Sequence, residues 1–282
     1  MNILICGAGG FIGTNLFRYL SKNHKVRGFH TKDFKLSLEE MAKKIGNVDV
    51  IINLSGANIF TLWNNRNKQI IYESRVYSTR KLYQALKLVN NKPFLFINAS
   101  GINIYDSENR HTEESGDFTN NFLSYVVSDW EKMALKMREM GIKVAIARFG
   151  IVIGKDGGIV KQLRKFIKSN LGINLLNKDP YFSFIHIDDL CRSIEFILTH
   201  PFDEMVFNIT SPEPTTFNQF MKTFSKVYGR RVLIKIPGQL PKIFGENNIL
   251  ITEGQYVIPQ VLLKHRFSFK YPDIYSALKS IK

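Results

Sequence analysis

The stretch Met1-Asn2-Ile3-Leu4-Ile5-Cys6-Gly7-Ala8-Gly9-Gly10-Phe11-Ile12-Gly13 decides how the rest of the chain is read. The unbroken apolar run Ile3–Cys6 describes a strand buried on both faces, and the glycines behind it open a helix over Thr14–Leu20. Glycine permits a tight turn and lets another backbone come close, while the first N–H groups of the helix have no partner inside it. A strand, a glycine turn and a helix in that order make a seat for a dinucleotide pyrophosphate. Gly7, Gly10, Phe11, Ile12 and Gly13 are therefore the expected contacts.

Outward from that turn, apolar runs of the same kind recur at Val26–His30, Val48–Leu54, Phe94–Asn98 and Val144–Phe149. Helical segments separate them: Thr14–Lys22, Leu38–Ile45, Asn67–Val89 and Asn121–Met140. The alternation predicts an α/β fold, a Rossmann-type doubly wound parallel sheet with right-handed crossovers. After Gly150 the rhythm breaks into loops at Gly154–Gly158 and Asn170–Pro180. One more strand follows at Met205–Thr210, then the turn Pro212-Glu213-Pro214 and a helix over Thr216–Tyr228 capped by Thr215 or Thr216. Val232–Lys282 reads as a strand, two short helices and a last helix after Pro272. The expected organisation is a dinucleotide-binding domain over 1–210 and a small C-terminal α/β substrate lobe over 211–282, to which 155–185 contribute.

The composition excludes several classes. With 44% hydrophobic and 22% charged residues the 282-residue chain is ordinary globular material. Two cysteines, Cys6 and Cys191, offer neither a disulfide framework nor a metal cluster and suit a reducing compartment. No run of about 18 apolar residues is present, so no membrane span is expected. The N-terminus reads as the first strand, which leaves no room for a signal peptide, and the cytoplasm is the expected location. The net charge of +15 is mostly scattered lysine, and Lys161, Arg164, Lys165 and Lys168 alone fall on one helical face. That spacing reads first as a solvated face; without a nucleic-acid motif, nucleic acid is not an expected partner, while a small anionic substrate is.

Further residues fall where a cofactor would lie. The second strand ends at Phe29-His30-Thr31-Lys32, with no acid to meet adenosine ribose hydroxyls until Asp33. Thr31 and Lys32, with Arg27 or His30, favour the 2′-phosphate of NADP(H), and NAD is the alternative. Leu54, Ser55 and Gly56 end the third strand with room for a cofactor backbone, and Arg75 is placed for an anion. Ser100 lies just past the fourth strand, where its hydroxyl is expected to hydrogen-bond a substrate carbonyl.

Taken together, the glycine motif, Leu54-Ser55-Gly56, Ser100 and Phe184-Ile185-His186-Ile187-Asp188-Asp189-Leu190 resemble the extended short-chain dehydrogenases/reductases, the NAD-dependent epimerase/dehydratase superfamily. More narrowly, the chain resembles the uncharacterised epimerase-family branch that carries a C-terminal domain of unknown function. That likeness rests on Asn53–Ile59, Trp63, Glu73-Ser74-Arg75-Val76 with Thr79-Arg80, and Asp129-Trp130-Glu131. Further on it rests on Arg148–Gly154, Asp156-Gly157-Gly158, Asn208–Pro212, Pro259 and Phe267–Pro272. The resemblance implies an oxidoreductase or epimerase (isomerase) exchanging hydride with nicotinamide, adds Gly150 and Ile151 to the cofactor contacts, and suggests a homodimer through Asn67–Val89 and Asn121–Met140.

It also implies a tyrosine with a lysine four residues later on the helix after Ser100. Matching Glu131 to the acid that follows this pair puts Leu123 and Val127 in the two slots. Tyr125 is turned about 200° away, and Tyr77/Lys81, Tyr83/Lys87 and Tyr275/Lys279 lie in the wrong places. Tyr105 is the expected replacement acid, and His186 reads as structural. Two function classes follow: an oxidoreductase or epimerase with an atypical proton donor, or a catalytically silent, cofactor-sensing regulator of the kind that cell-division-inhibitor labels on some relatives suggest.

Overall fold

The computed structural model describes residues 1–161, 163, 173–176, 178–229, 234–237 and 253–282, the segments 173–176 and 234–237 through their backbone alone. The chain divides into two compact units. The first comprises 1–104, 120–148 and 197–207, and the second comprises 105–119, 149–196 and 208–282. The second unit thus takes in more of the middle of the chain than the lobe read from the sequence.

A six-stranded parallel sheet forms the centre of the fold, in the order Val206–Ile209, Lys143–Phe149, Leu95–Gly101, Val50–Asn53, Asn2–Cys6, Lys25–Phe29. Asn2–Cys6 is flanked by Lys25–Phe29 on one side and Val50–Asn53 on the other, both parallel to it. The chain reverses its direction of travel across the sheet at that point, which is where open α/β sheets bind ligands. The registers Cys6–Asn53 and Asn53–Asn98 align three strand ends along one carboxyl edge. Each of these strands is almost wholly buried, with apolar runs at Ile3–Cys6, Val50–Ile52 and Leu95–Ile97, as a sheet covered by helices on both faces requires. One core cluster of this unit joins Leu4, Phe29, Ile51 and Phe96 to Met41, Leu82, Leu86 and Met137 from the helices.

Local signals place most helices. Leu38–Ile45 begins at Ser37, whose side chain accepts from Glu40 N–H while Glu40 returns the bond, and it ends at Gly46 with φ +55°. Phe217–Val227 is capped by Thr216, one of the two caps expected. The segment expected as one helix over Asn67–Val89 is instead two, Asn65–Glu73 and Val76–Leu88. The break has a tertiary cause. Ser74 Oγ accepts the Ala57 N–H, and the Arg75 guanidinium donates to the carbonyls of Ile71 and Ala57, so the loop after the third strand pulls the helix apart. Phe122–Leu135 likewise gives way to a 3-10 turn, Lys136–Met140, closed by left-handed Gly141.

In the second unit Ile151–Gly154 runs parallel to Phe184–His186, and a core of Phe184, Phe217, Phe220, Phe224, Ala277 and Leu278 joins the helices Phe217–Val227 and Ile274–Lys279. Of the basic face read from the sequence, Lys161 is exposed, and Arg164, Lys165 and Lys168 lie outside the described residues. Among the described residues no helix is long and apolar enough to cross a membrane, and no cluster of ligating side chains could hold a metal ion.

His186 ties this unit together. Its Nδ1 accepts the Asp188 N–H at 3.1 Å, which places the ring proton on Nε2, 3.1 Å from Ser280 Oγ. Burial pushes its pKa below the ordinary imidazole range, against the pull of Asp188 and Asp189. A second proton would set an Nδ1–H against the Asp188 N–H. Because the folded state holds that proton less readily than the unfolded chain, stability is full above the unfolded pKa of about 6.5 and falls as pH drops through it. Thermal melts between neutral and mildly acidic pH should show this loss, and His186→Gln should flatten that part of the curve; an unchanged slope would refute the assignment.

Candidate cofactor-binding site

The first glycine turn is built by close backbone approach. Gly7 has φ +79°, and a Cβ on it would stand 2.7 Å from Leu54 O. A Cβ on Gly13 would stand 2.2 Å from Gly7 O, so the helix Phe11–Leu20 can dock on its own turn only through a glycine. Gly9 is different: it is exposed, and a Cβ there would meet only His30 Nδ1 at an ordinary 3.5 Å. Packing therefore does not require a glycine at that position. Thr14 makes the first intrahelical bond, to Gly10 O, and no side chain caps the N–H groups of Phe11, Ile12 and Gly13 before it.

Next to this turn lie the residues that end the third strand. Ser55 is buried and its hydroxyl has no partner. Gly56 is exposed, and a Cβ on it would stand 2.9 Å from the Arg75 guanidinium carbon. Arg75 spends two bonds on backbone carbonyls and pairs with no carboxylate among the described residues. Desolvation pulls its pKa down to about 10, which still leaves it protonated at neutral pH. An uncapped helix start, an orphaned buried hydroxyl and an uncompensated cation are features that a diphosphate would satisfy. The residues present therefore fit a dinucleotide.

At the end of the second strand, Asp33 is buried and engaged: it accepts the His30 N–H and the Lys44 ammonium, both at 2.7 Å. Against the desolvation that burial imposes, these partners hold its carboxyl below the usual range. Arg27 is also occupied, by the carbonyls of Lys44 and Ile45. Thr31 and Lys32 remain exposed, with no side-chain partner among the described residues.

The structure changes the reading of Ser100. Its Oγ donates to Glu131 Oε1 at 2.5 Å, and Arg148 grips the same carboxylate with Nε and Nη2, each at 2.8 Å. All three side chains are buried. A serine has one hydroxyl hydrogen, and here Glu131 holds it, so Ser100 can accept from a substrate hydroxyl but does not offer a proton to a carbonyl.

Tyr105 also departs from expectation. It belongs to the second unit, is fully buried and stacks on His111 at 4.7 Å, with its hydroxyl 2.9 Å from Asn208 Oδ1 and 3.1 Å from the Thr112 carbonyl. That is the setting of a core tyrosine, not of an acid open to substrate. Gly150 and Ile151 belong to the second unit as well, where a Cβ on Gly150 would stand 2.8 Å from Ser183 O and Ile151 pairs with Phe184. Leu123 and Val127 are buried apolar side chains, and Tyr125 is 61% exposed on the opposite side of their helix, as its 200° offset requires. Glu131, Arg148, Thr79 and Trp130 entered the sequence reading only as pieces of a resemblance. The bonds Arg148–Glu131, Ser100–Glu131 and Trp130–Thr79 span 17, 31 and 51 positions, a distance no local pattern reports.

Comparison with known proteins shows the family and the fold. The profile of the NAD dependent epimerase/dehydratase family matches residues 3–210, and that of a domain of unknown function (DUF1731) matches residues 239–281. Epimerase family protein YfhF of Bacillus subtilis is 29% identical, covering 100% of this chain and 98% of its own. An epimerase family protein of Staphylococcus saprophyticus is 30% identical, covering 99% and 98%. Among solved structures, human epimerase family protein SDR39U1 with NADPH superposes with a TM-score of 0.89 at 26% identity, covering 100% of this chain and 99% of that one. The UDP-glucuronic acid 4-epimerase of Bacillus cereus, in complex with UDP-glucuronic acid and NAD, shares the fold with a TM-score of 0.78 at 16% identity, covering 100% and 98%. By the match over 3–210, by its relatives and by the fold, this chain belongs to the NAD dependent epimerase/dehydratase family.

Proposed function

We propose that this protein binds NADP(H) on its first unit and serves as an oxidoreductase or epimerase-like enzyme for a small hydroxyl-bearing substrate. The observation that carries the reading is the bare, uncapped turn at Gly9 and Gly10 beside the orphaned Ser55 hydroxyl and the uncompensated Arg75. Lys32, free while Asp33 is engaged, supports NADP(H) over NAD, as does the NADPH in the human relative's structure. Phe11, Ile12 and Gly13 N–H groups and Arg75 would hold the diphosphate, and Thr31 and Lys32 the 2′-phosphate. Bound nicotinamide supplies hydride exchange at its C4 carbon. Ser100, its hydrogen fixed on Glu131, would accept the hydrogen bond of a substrate hydroxyl.

A second reading, a cofactor-sensing protein without turnover, is favoured by the buried Leu123 and Val127 and by the enclosed Tyr105. A panel of sugar, alcohol and carbonyl substrates followed at the nicotinamide absorbance band separates the two. Turnover abolished by Ser100→Ala supports the enzyme, and inertness across the panel with NADPH binding intact supports the sensor.

The two kinds of glycine give a sharper test of the site. Gly13→Ala should destabilise the fold by about 1–3 kcal/mol, because a backbone oxygen must move. Gly9→Ala should leave stability within about 1 kcal/mol yet weaken NADPH binding about tenfold or more. NADPH titrations matching the native protein in Gly9→Ala would sink the site assignment. Lys32→Glu should weaken NADPH about 10- to 100-fold, the worth of a charge-assisted bond, and spare NADH; equal losses for both would remove Lys32 from the 2′-phosphate.

A further inference from the structure

Arg75 and Trp130 close a circuit that cofactor contacts alone leave unexplained. The guanidinium carbon lies 5.4 Å from the centroid of the Trp130 ring, within cation–π range. The indole Nε1–H of the same tryptophan donates to Thr79 Oγ1 at 2.9 Å, and Thr79 Oγ1 donates to the Arg75 carbonyl at 2.7 Å. Trp130, itself buried, therefore holds Arg75 at both ends, ring against guanidinium and N–H through Thr79 to the backbone. Thr79 Oγ1 also accepts from Asn53 Nδ2 at 2.8 Å, which ties the circuit to the end of the third strand.

The contrast with Arg148 shows what this arrangement achieves. Arg148 faces a carboxylate with two parallel bonds, and its charge is neutralised in place. Arg75 faces an aromatic ring and two carbonyls, so it keeps its charge. Of its five N–H donors two are spent on Ile71 and Ala57, which leaves three. The guanidinium lies against exposed Gly56, where a Cβ would stand 2.9 to 3.3 Å from its atoms. A carboxylate in place of the ring would anchor the side chain equally well but would compete with any incoming anion. A π face anchors without competing.

We propose that Trp130 is a positioning residue for an anion held by Arg75. Its ring stabilises the partly buried guanidinium without neutralising it, and its N–H, acting through Thr79, fixes the backbone from which that guanidinium projects. This inference rests on the reading above, in which the anion is the diphosphate of NADP(H), and it gives Trp130 no contact of its own with that anion.

The test is NADPH affinity, with inorganic pyrophosphate as a competing probe, measured across a salt series. Arg75→Gln should weaken NADPH and pyrophosphate together and flatten the salt dependence, because a charge is gone. Trp130→Met should weaken both about tenfold while keeping the native salt dependence, because the charge remains. Trp130→Phe, which keeps a ring but loses the N–H, should recover most of that loss. A protein that merely collapsed would lose affinity without this split, and Trp63 fluorescence with the melting temperature reports folding. Should Trp130→Met fail to fold, Thr79→Val and Thr79→Ser read the other arm, with a loss in the first and rescue in the second. Native affinity in Trp130→Met, or in Thr79→Val, alongside weakened Arg75→Gln overturns the role of Trp130 alone. Native affinity in Arg75→Gln removes Arg75 from the cofactor site and Trp130 with it. Absence of NADPH binding by the native protein sinks the underlying reading.

Discussion

Gly7 O and the α-carbon of Gly13 approach so closely that no side chain fits between them, a Cβ on Gly13 falling 2.2 Å from that oxygen. Everything else at the carboxyl edge of the sheet is arranged around this contact. It docks the helix Phe11–Leu20 directly behind the first strand, and Gly7, with a positive φ, brings the turn against Leu54 O and Ser55 N on the neighbouring strand. The register of the three strands then sets Ser55, Gly56 and Ser100 along the same edge. A turn that carried side chains would hold the strand apart from its neighbour and fill the space in front of the helix start.

Two arginines, buried Arg148 and half-buried Arg75, divide the electrostatics of the first unit. Arg148 and Glu131 cancel each other and, in doing so, decide the chemistry of Ser100 by taking its only hydrogen. Breaking such a pair strands a buried charge, which costs about 3–5 kcal/mol. Arg75 remains a cation supported by carbonyls and a ring. One half of the edge is thus electrically closed, and the other is open to an anion. Two acids at this edge are engaged: Asp33 is bonded to His30 and Lys44, and Glu131 to Ser100 and Arg148.

Much of this was readable in the chain itself. The helix Leu38–Ile45 is present with the bounds read, and the structure adds the Ser37–Glu40 capping box and the Gly46 stop that fix those bounds within three or four residues. The apolar strands and the glycine turn are equally local. The single long helix over Asn67–Val89 failed for the opposite reason. Its sequence carries no breaker, and the break at Ser74 and Arg75 comes from Ala57, 17 and 18 positions away. Tyr105 was misread likewise: its acceptors include Asn208, 103 positions along the chain.

The sequence by itself determined the order of strand, glycine turn and helix, and the parallel sheet. Those depend on apolar periodicity and on the conformational range of glycine, which are properties of neighbouring residues. Only the tertiary structure decided which charges are cancelled, which hydroxyl still has a hydrogen to give, and which tyrosine is enclosed. A side chain's charge and hydrogen-bonding capacity are written in its identity. Whether that capacity is already spent depends on partners that only folding brings within 3 Å.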